Sequence, residues 1–145
     1  AGDAQPVFAK YKLGEISVVH NGNLVNKHEV RNELIDRGAI FQTDMDTENI
    51  IHLIAKSQKD SLIDRIKDML TKIEGAYCLA IQSRSKMFVI RDRFGIRPLS
   101  LGKLKDGGYI VASETCAFDL VGAEFIRDVE PGEMLIFEEG KEPVL

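Results

Sequence analysis

The stretch Ile16-Ser17-Val18-Val19-His20-Asn21-Gly22-Asn23 opens on a β-branched run and ends on turn-forming residues. Ile16 to His20 therefore reads as a buried strand, and Asn21-Gly22-Asn23 as the turn that leaves it. Asn26 then fits a helix N-cap, with Glu29 three residues on, close to a capping box. Val30, Leu34 and Ile35 give this helix one apolar face. Gly38 suits its C′ position.

Two more helices follow. Ile40 to Gln42 is extended and Thr43 to Thr47 is a polar loop. A second helix runs from about Thr47 to Ser57, with Ile50, Ile51, Leu53 and Ile54 apolar. A third starts near Ser61, carries Leu62, Ile63, Ile66, Met69, Leu70 and Ile73 at the 3.6-residue period, and closes at Gly75. From Ala76 the period drops to two. Ala76–Ile81, Met87–Ile90, Leu99–Leu101, Tyr109–Ala112, Phe125–Arg127 and Met134–Phe137 read as strands. Ser113 fits the N-cap of a short helix over Glu114–Leu120, and Pro131-Gly132 reads as a turn. Helices first and strands later, with little strict βαβ alternation, argue for an α+β fold with largely antiparallel sheets.

The 145 residues suit one domain, and 44% hydrophobic residues supply a core at that size. The net charge of −4 and the lack of clustered Lys and Arg exclude bulk nucleic-acid or anionic-membrane binding. No apolar run approaches the roughly 20 residues that span a bilayer, and no signal peptide is evident. Cys78 and Cys116 both lie in apolar stretches without a CxxC pair, so a reducing, cytoplasmic setting is expected. Neither GxGxxG nor GxxxxGK[ST] occurs, so no nucleotide site of those kinds is expected.

Five groups of residues bear on chemistry. An Asn21 side-chain N–H and the Gly22 backbone N–H can point at one spot, which is what a developing oxyanion in acyl transfer requires. A plain connector turn is the competing reading of the same dipeptide. Asp46 fits either a helix N-cap or a carboxylate that binds a substrate ammonium group, with Asp44 just before it. His20, His28 and His52 lack metal-ligand spacing and read as structural, although His20 could orient the Asn21 turn. Cys78 and Cys116 read as small core residues, so no nucleophile is expected in this chain. Arg91 to Leu99 reads as a strand-turn-strand connector with solvated charges, or as an interdomain or signalling contact.

Together these segments resemble a known family. His20 to Asn26, Asp46-Thr47-Glu48 and Glu74 to Tyr77 are similar to class II glutamine amidotransferases. Gly95 to Leu99, Val111 to Asp119, Arg127 to Glu133 and the opening Asp3-Ala4-Gln5-Pro6 narrow the likeness to amidophosphoribosyltransferases. The resemblance implies an N-terminal-nucleophile hydrolase fold, a four-layer αββα sandwich. It implies an oxyanion hole at Asn21 and Gly22, a glutamine pocket lined by Gly22, and Asp46 on the α-ammonium of glutamine.

The family's N-terminal Cys and His-x-Arg-Tyr-Ser/Thr segment would precede Ala1, and its phosphoribosyltransferase domain would follow Leu145. The expectation is therefore a partial glutaminase domain over residues 1–145, lacking N-terminal strands and inactive alone. The parent would pass glutamine-derived ammonia to phosphoribosyl pyrophosphate, giving 5-phosphoribosylamine in purine synthesis, and would be a homo-oligomer. Mg2+ is expected only with the absent domain. Some members bind an iron–sulfur cluster, and Cys78 and Cys116 do not match its ligands, so any cluster would lie in the missing region. A non-catalytic binding or regulatory module of the same fold is the alternative. So is a glutaminase fragment of a sugar-phosphate amidotransferase or asparagine synthetase.

Overall fold

The computed structural model describes residues 6–113 and 116–138. Among the described residues, eight strands and four helices occur in the order β1 (Val7–Tyr11), β2 (Gly14–Leu24), α1 (Lys27–Asp36), α2 (Asp46–Lys56), α3 (Leu62–Leu70), β3 (Gly75–Gln82), β4 (Lys86–Arg91), β5 (Ser100–Lys103), β6 (Tyr109–Ala112), α4 (Cys116–Val121), β7 (Glu124–Asp128) and β8 (Met134–Glu138). Every pairing is antiparallel. One sheet has the order β1-β2-β3-β4-β8 and the other β6-β5-β7.

Alternation along the strands assigns each face of the larger sheet. Val18, Leu79, Ile81, Phe88 and Ile90 pack with Ile50 and Ile54 of α2 and Ile66 and Met69 of α3 in one core. The opposite face sends Cys78, Val89 and Leu135 against Leu99, Leu101 and Val129 of the smaller sheet and its flanks. On the outer side of that sheet Phe118 of α4 is buried. A Cβ on Gly102 of β5 would stand 3.2 Å from the Phe118 ring. Helices, sheet, sheet and helix thus make four layers, the αββα order anticipated from the resemblance.

The helix ends show where local sequence decides structure. α1 closes in a full Schellman motif: the Gly38 amide donates to the Ile35 carbonyl and the Ala39 amide to the Leu34 carbonyl, with Gly38 at φ +96°. Ser61 caps α3 through a bond from the Asp64 amide at 3.2 Å. Asn26, expected to cap α1, makes no cap bond. Its side chain instead donates to the Lys72 carbonyl and accepts from the Glu74 amide, tying the start of α1 to the link before β3. Gly75 does not close α3, which stops at Leu70; it opens β3. Ile40 to Gln42 forms no strand. The short helix begins at Cys116, and residues 114 and 115 of its expected span lie outside the described ones.

The connector after β4 is not a solvated loop. Asp92 is 1% exposed. Its carboxylate accepts the Tyr77 amide at 3.2 Å and the Phe94 and Gly95 amides at 3.1 Å. Arg91 donates to the Arg97, Gly95 and Val129 carbonyls. These two residues are internal staples, while Arg93 and Arg97 are exposed. Asp92→Ala removes the side-chain acceptor of three amides, of which, among the described residues, only Gly95 keeps a partner, the Asp92 carbonyl, and is expected to cost about 3 kcal/mol, read as a lower urea midpoint. A shift below about 1 kcal/mol would contradict the staple. Arg127 and Glu133 form a bidentate pair, both bonds 2.8 Å, across the Pro131-Gly132 turn.

Candidate active site

The expected turn at Asn21-Gly22-Asn23 is strand. β2 runs on to Leu24, pairing Asn21 with Cys78, Gly22 with Tyr77, Asn23 with Ala76 and Leu24 with Gly75. Glycine makes this possible. Gly22 stands at φ +139°, and a Cβ there would lie 2.1 Å from the Ala76 carbonyl oxygen. Gly75 opposite stands at φ +134°, where a Cβ would lie 2.2 Å from the Asn23 carbonyl oxygen. Two backbones approach too closely for any side chain.

The ladder fixes which way each amide points. The Val25 amide donates to the Glu74 carbonyl, so the 23:76 and 21:78 pairs carry the β2–β3 bonds. The Gly22 and Leu24 amides therefore point to the opposite edge of β2. Pairing with β1 on that edge reaches only Val7 with Val18 among the described residues. Asn21 is exposed and shares the side of its partner Cys78, which faces between the sheets. His20 is buried on the side facing the helices. Burial pushes its imidazole below the ordinary value; Asp46 opposes this and Arg97 adds to it.

Asp46 does not cap α2. Met45 is the N-cap, with no side-chain cap bond, and Asp46 is the first helical residue. Its carboxylate turns across to β2, where Oδ2 accepts the Leu24 amide at 3.1 Å. Oδ1 is enclosed without a hydrogen-bond donor among the described residues, and Lys27 Nζ lies 3.7 Å from it. Asn21, Gly22 and the Leu24 amide that Asp46 holds thus lie along one end of β2, with the Asp46 carboxylate on the edge toward which the Gly22 amide points. Asp44 is exposed and takes no part.

Glu48 completes the neighbourhood, and the sequence reading gave it no role. Its carboxylate accepts the Gln42 amide, the Thr43 amide and the Thr43 hydroxyl, each at 2.7 Å. The Thr43 hydroxyl in turn accepts the Met45 amide at 3.2 Å. Arg31 donates to the Thr43 carbonyl at 2.7 Å and lies over the Phe41 ring. Burial pushes the Glu48 carboxyl up, but the Thr43 hydroxyl, the two amides and His52 together take it below the ordinary value. The advance signals were its place in the Asp46-Thr47-Glu48 segment and its position two residues after Asp46, from which a side chain reaches back over the entering chain. Lys27 had no signal.

The surroundings of Cys78 disfavour its thiolate. Burial raises its thiol, Asp92 adds to that, and Arg91 and Arg97 oppose it. Its Sγ lies 3.8 Å from the Pro98 carbonyl oxygen. The Cys116 side chain lies outside the description. His28 is exposed, and His52 packs on Phe41 and stands 3.5 Å from Glu48. Among the described residues no cluster of His, Cys, Asp or Glu could hold a metal ion, and no helix is long and apolar enough to cross a membrane.

The described residues form an α+β sandwich in which an Asn-Gly strand end lies near a carboxylate held on the strand edge. The chain belongs to the glutamine amidotransferase domain family, whose profile matches residues 1–119. It is similar to amidophosphoribosyltransferase of Bacillus subtilis, 47% identical over 138 residues. The match covers 94% of this chain and 29% of the relative. The enzyme of the same name from Rhizobium etli is 47% identical over 136 residues, covering 94% and 27%. The solved glutamine phosphoribosylpyrophosphate amidotransferase from B. subtilis, complexed with ADP and GMP, superposes with a TM-score of 0.91 at 45% identity. That superposition covers 97% of this chain and 31% of the other. The fold is the N-terminal-nucleophile hydrolase fold. The chain spans about 30% of the length of these relatives.

Proposed function

We propose that this chain is the glutamine-binding and oxyanion-stabilising part of an amidophosphoribosyltransferase. The whole enzyme would hydrolyse glutamine and deliver the ammonia to phosphoribosyl pyrophosphate, forming 5-phosphoribosylamine. The observation that carries the reading is the bond between Asp46 Oδ2 and the Leu24 amide. It holds a carboxylate on the strand edge toward which the Gly22 amide points. Glutamine has its α-ammonium and its carboxamide at opposite ends of one short chain, so a site for it needs these two features close together.

The roles follow from charge. Asp46 takes the ammonium in place of Lys27. The Asn21 side-chain amide and the Gly22 backbone amide donate to the carboxamide oxygen as attack makes it an oxyanion. The nucleophile comes from outside this chain's described residues; in the family it is an N-terminal cysteine. Mg2+ belongs with the phosphoribosyl pyrophosphate on the remaining domain. Among the described residues, Cys78 stands in no group of ligands that could hold an iron–sulfur cluster. The assembled enzyme would be cytoplasmic and homo-oligomeric.

Steady-state kinetics of the full-length protein test the ammonium assignment. Asp46→Asn is expected to raise KM for glutamine by about 10–100-fold, with a smaller effect on kcat, since it removes one charge from an ion pair. An unaltered KM would remove Asp46 from the site.

A further inference from the structure

We propose that Glu48 is a positioning residue for glutamine binding, acting through Asp46 by anchoring the backbone that enters α2. This rests on the reading of Asp46 as the ammonium ligand.

The segment from Gln42 to Met45 lies in neither strand nor helix. Its N-cap, Met45, supplies no side-chain bond. Order in this segment therefore comes from outside it. Three of its donors end on the Glu48 carboxylate at 2.7 Å, namely the Gln42 amide, the Thr43 amide and the Thr43 hydroxyl. A fourth donor, the Met45 amide, is held by that same hydroxyl, so it depends on Glu48 at one remove. Arg31 grips the Thr43 carbonyl from α1. The next residue is Asp46, whose carboxylate must reach the Leu24 amide on a different element. A small rotation at the helix start would swing it off that amide. Charge-assisted bonds from a carboxylate are the strong kind, and here they converge on the residues just before the ligand. A helix-capping acid would bond the N-cap amide of its own helix. Glu48 passes over Met45 and takes the chain two and three residues earlier, so its bonds set the path of the backbone into Asp46.

The experiment uses the full-length protein and four forms: wild type, Asp46→Asn, Glu48→Gln and the double variant. The glutamine-dependent reaction is measured beside the reaction supplied with free ammonium, which bypasses the glutamine site and reports a folded protein. Gln in place of Glu48 turns one acceptor into a donor facing other donors. Glu48→Gln is expected to raise KM for glutamine about tenfold, with most of the effect in KM rather than kcat. In the Asp46→Asn background the same change is expected to add less than about twofold, because the two act as one unit. Thr43→Ala, a milder cut in the same network, should raise KM in the same direction by less. Equal KM rises in both backgrounds would overturn the proposal, since Glu48 would then act independently of Asp46. A lower melting temperature with an unmoved KM would overturn it as well. If Asp46→Asn raises KM and Glu48→Gln does not, the proposal alone fails. If Asp46→Asn is itself silent, the underlying reading fails and takes this one with it.

Discussion

Asn21→Ala in the full-length protein should lower kcat for glutamine hydrolysis by about 10²–10³-fold, with KM changed by less than about threefold. The split follows from when the bond matters. A carboxamide oxygen in the ground state carries little charge, so the Asn21 N–H contributes little to binding. The tetrahedral oxygen carries a full charge, and the same donor then contributes about 3–4 kcal/mol. Asn21 is exposed at the strand end and faces between the sheets, so alanine there leaves no buried hole and, among the described residues, no orphaned partner. Any loss of activity is therefore chemical rather than a loss of fold. Activity with free ammonium should persist. A variant with wild-type kcat would remove Asn21 from the oxyanion hole.

Gly22→Ala should act on the fold itself. At φ +139° an alanine is strained wherever it stands, by about 1–2 kcal/mol. At Gly22 its Cβ would also lie 2.1 Å from the Ala76 carbonyl oxygen, and backbone cannot swing aside as a side chain can. The expected total is more than about 3 kcal/mol, with loss of glutamine turnover because the Gly22 amide moves. Gly14 provides the comparison. It starts the same strand at φ +121° with nothing within 4 Å of its added Cβ. Gly14→Ala should show the strain without the clash, about 1–2 kcal/mol. Urea midpoints of the two variants, followed by circular dichroism, measure the difference. Equal midpoints would mean that β2 and β3 do not approach so closely at Gly22.

In the sequence Asn21 and Gly22 both stand out as candidate oxyanion donors and both read wrongly as a turn, and that has a physical cause. Periodicity and capping are local, so the helices were legible. Gly38 closing α1 and Ser61 opening α3 behave as their residue types demand. The change to period two after Ala76 likewise foretold antiparallel strands. Asn21-Gly22-Asn23 looks like a turn because Asn-Gly usually is one. What keeps it in a strand is β3, which arrives only after the three helices and brings Gly75 opposite Leu24. Asp46 looked like a cap for the same reason. Its true partner, the Leu24 amide, lies 22 residues away and carries no side-chain signature. Arg91 and Asp92 looked solvated because charged pairs usually are, and the carbonyls and amides they staple belong to backbone that sequence does not display. The residue identities at the candidate site were readable; the bonds that hold them together were not.

The Leu24–Gly75 pairing also bears on how the molecule is made. About fifty residues separate the two strands, and closing a free loop of that length costs entropy before any contact repays it. Here the interval is filled by α1, α2 and α3, which can form locally and pack on one another. Once they have done so, the strands are brought together by rigid rods rather than by a floppy tether. The topology thus implies a helical layer that assembles early and a β2–β3 seam that zips later, as non-local pairing does. The Gly22 amide and the Asp46 carboxylate come into register only with that last step. A newly made chain would therefore acquire the candidate site only once the seam between β2 and β3 had closed.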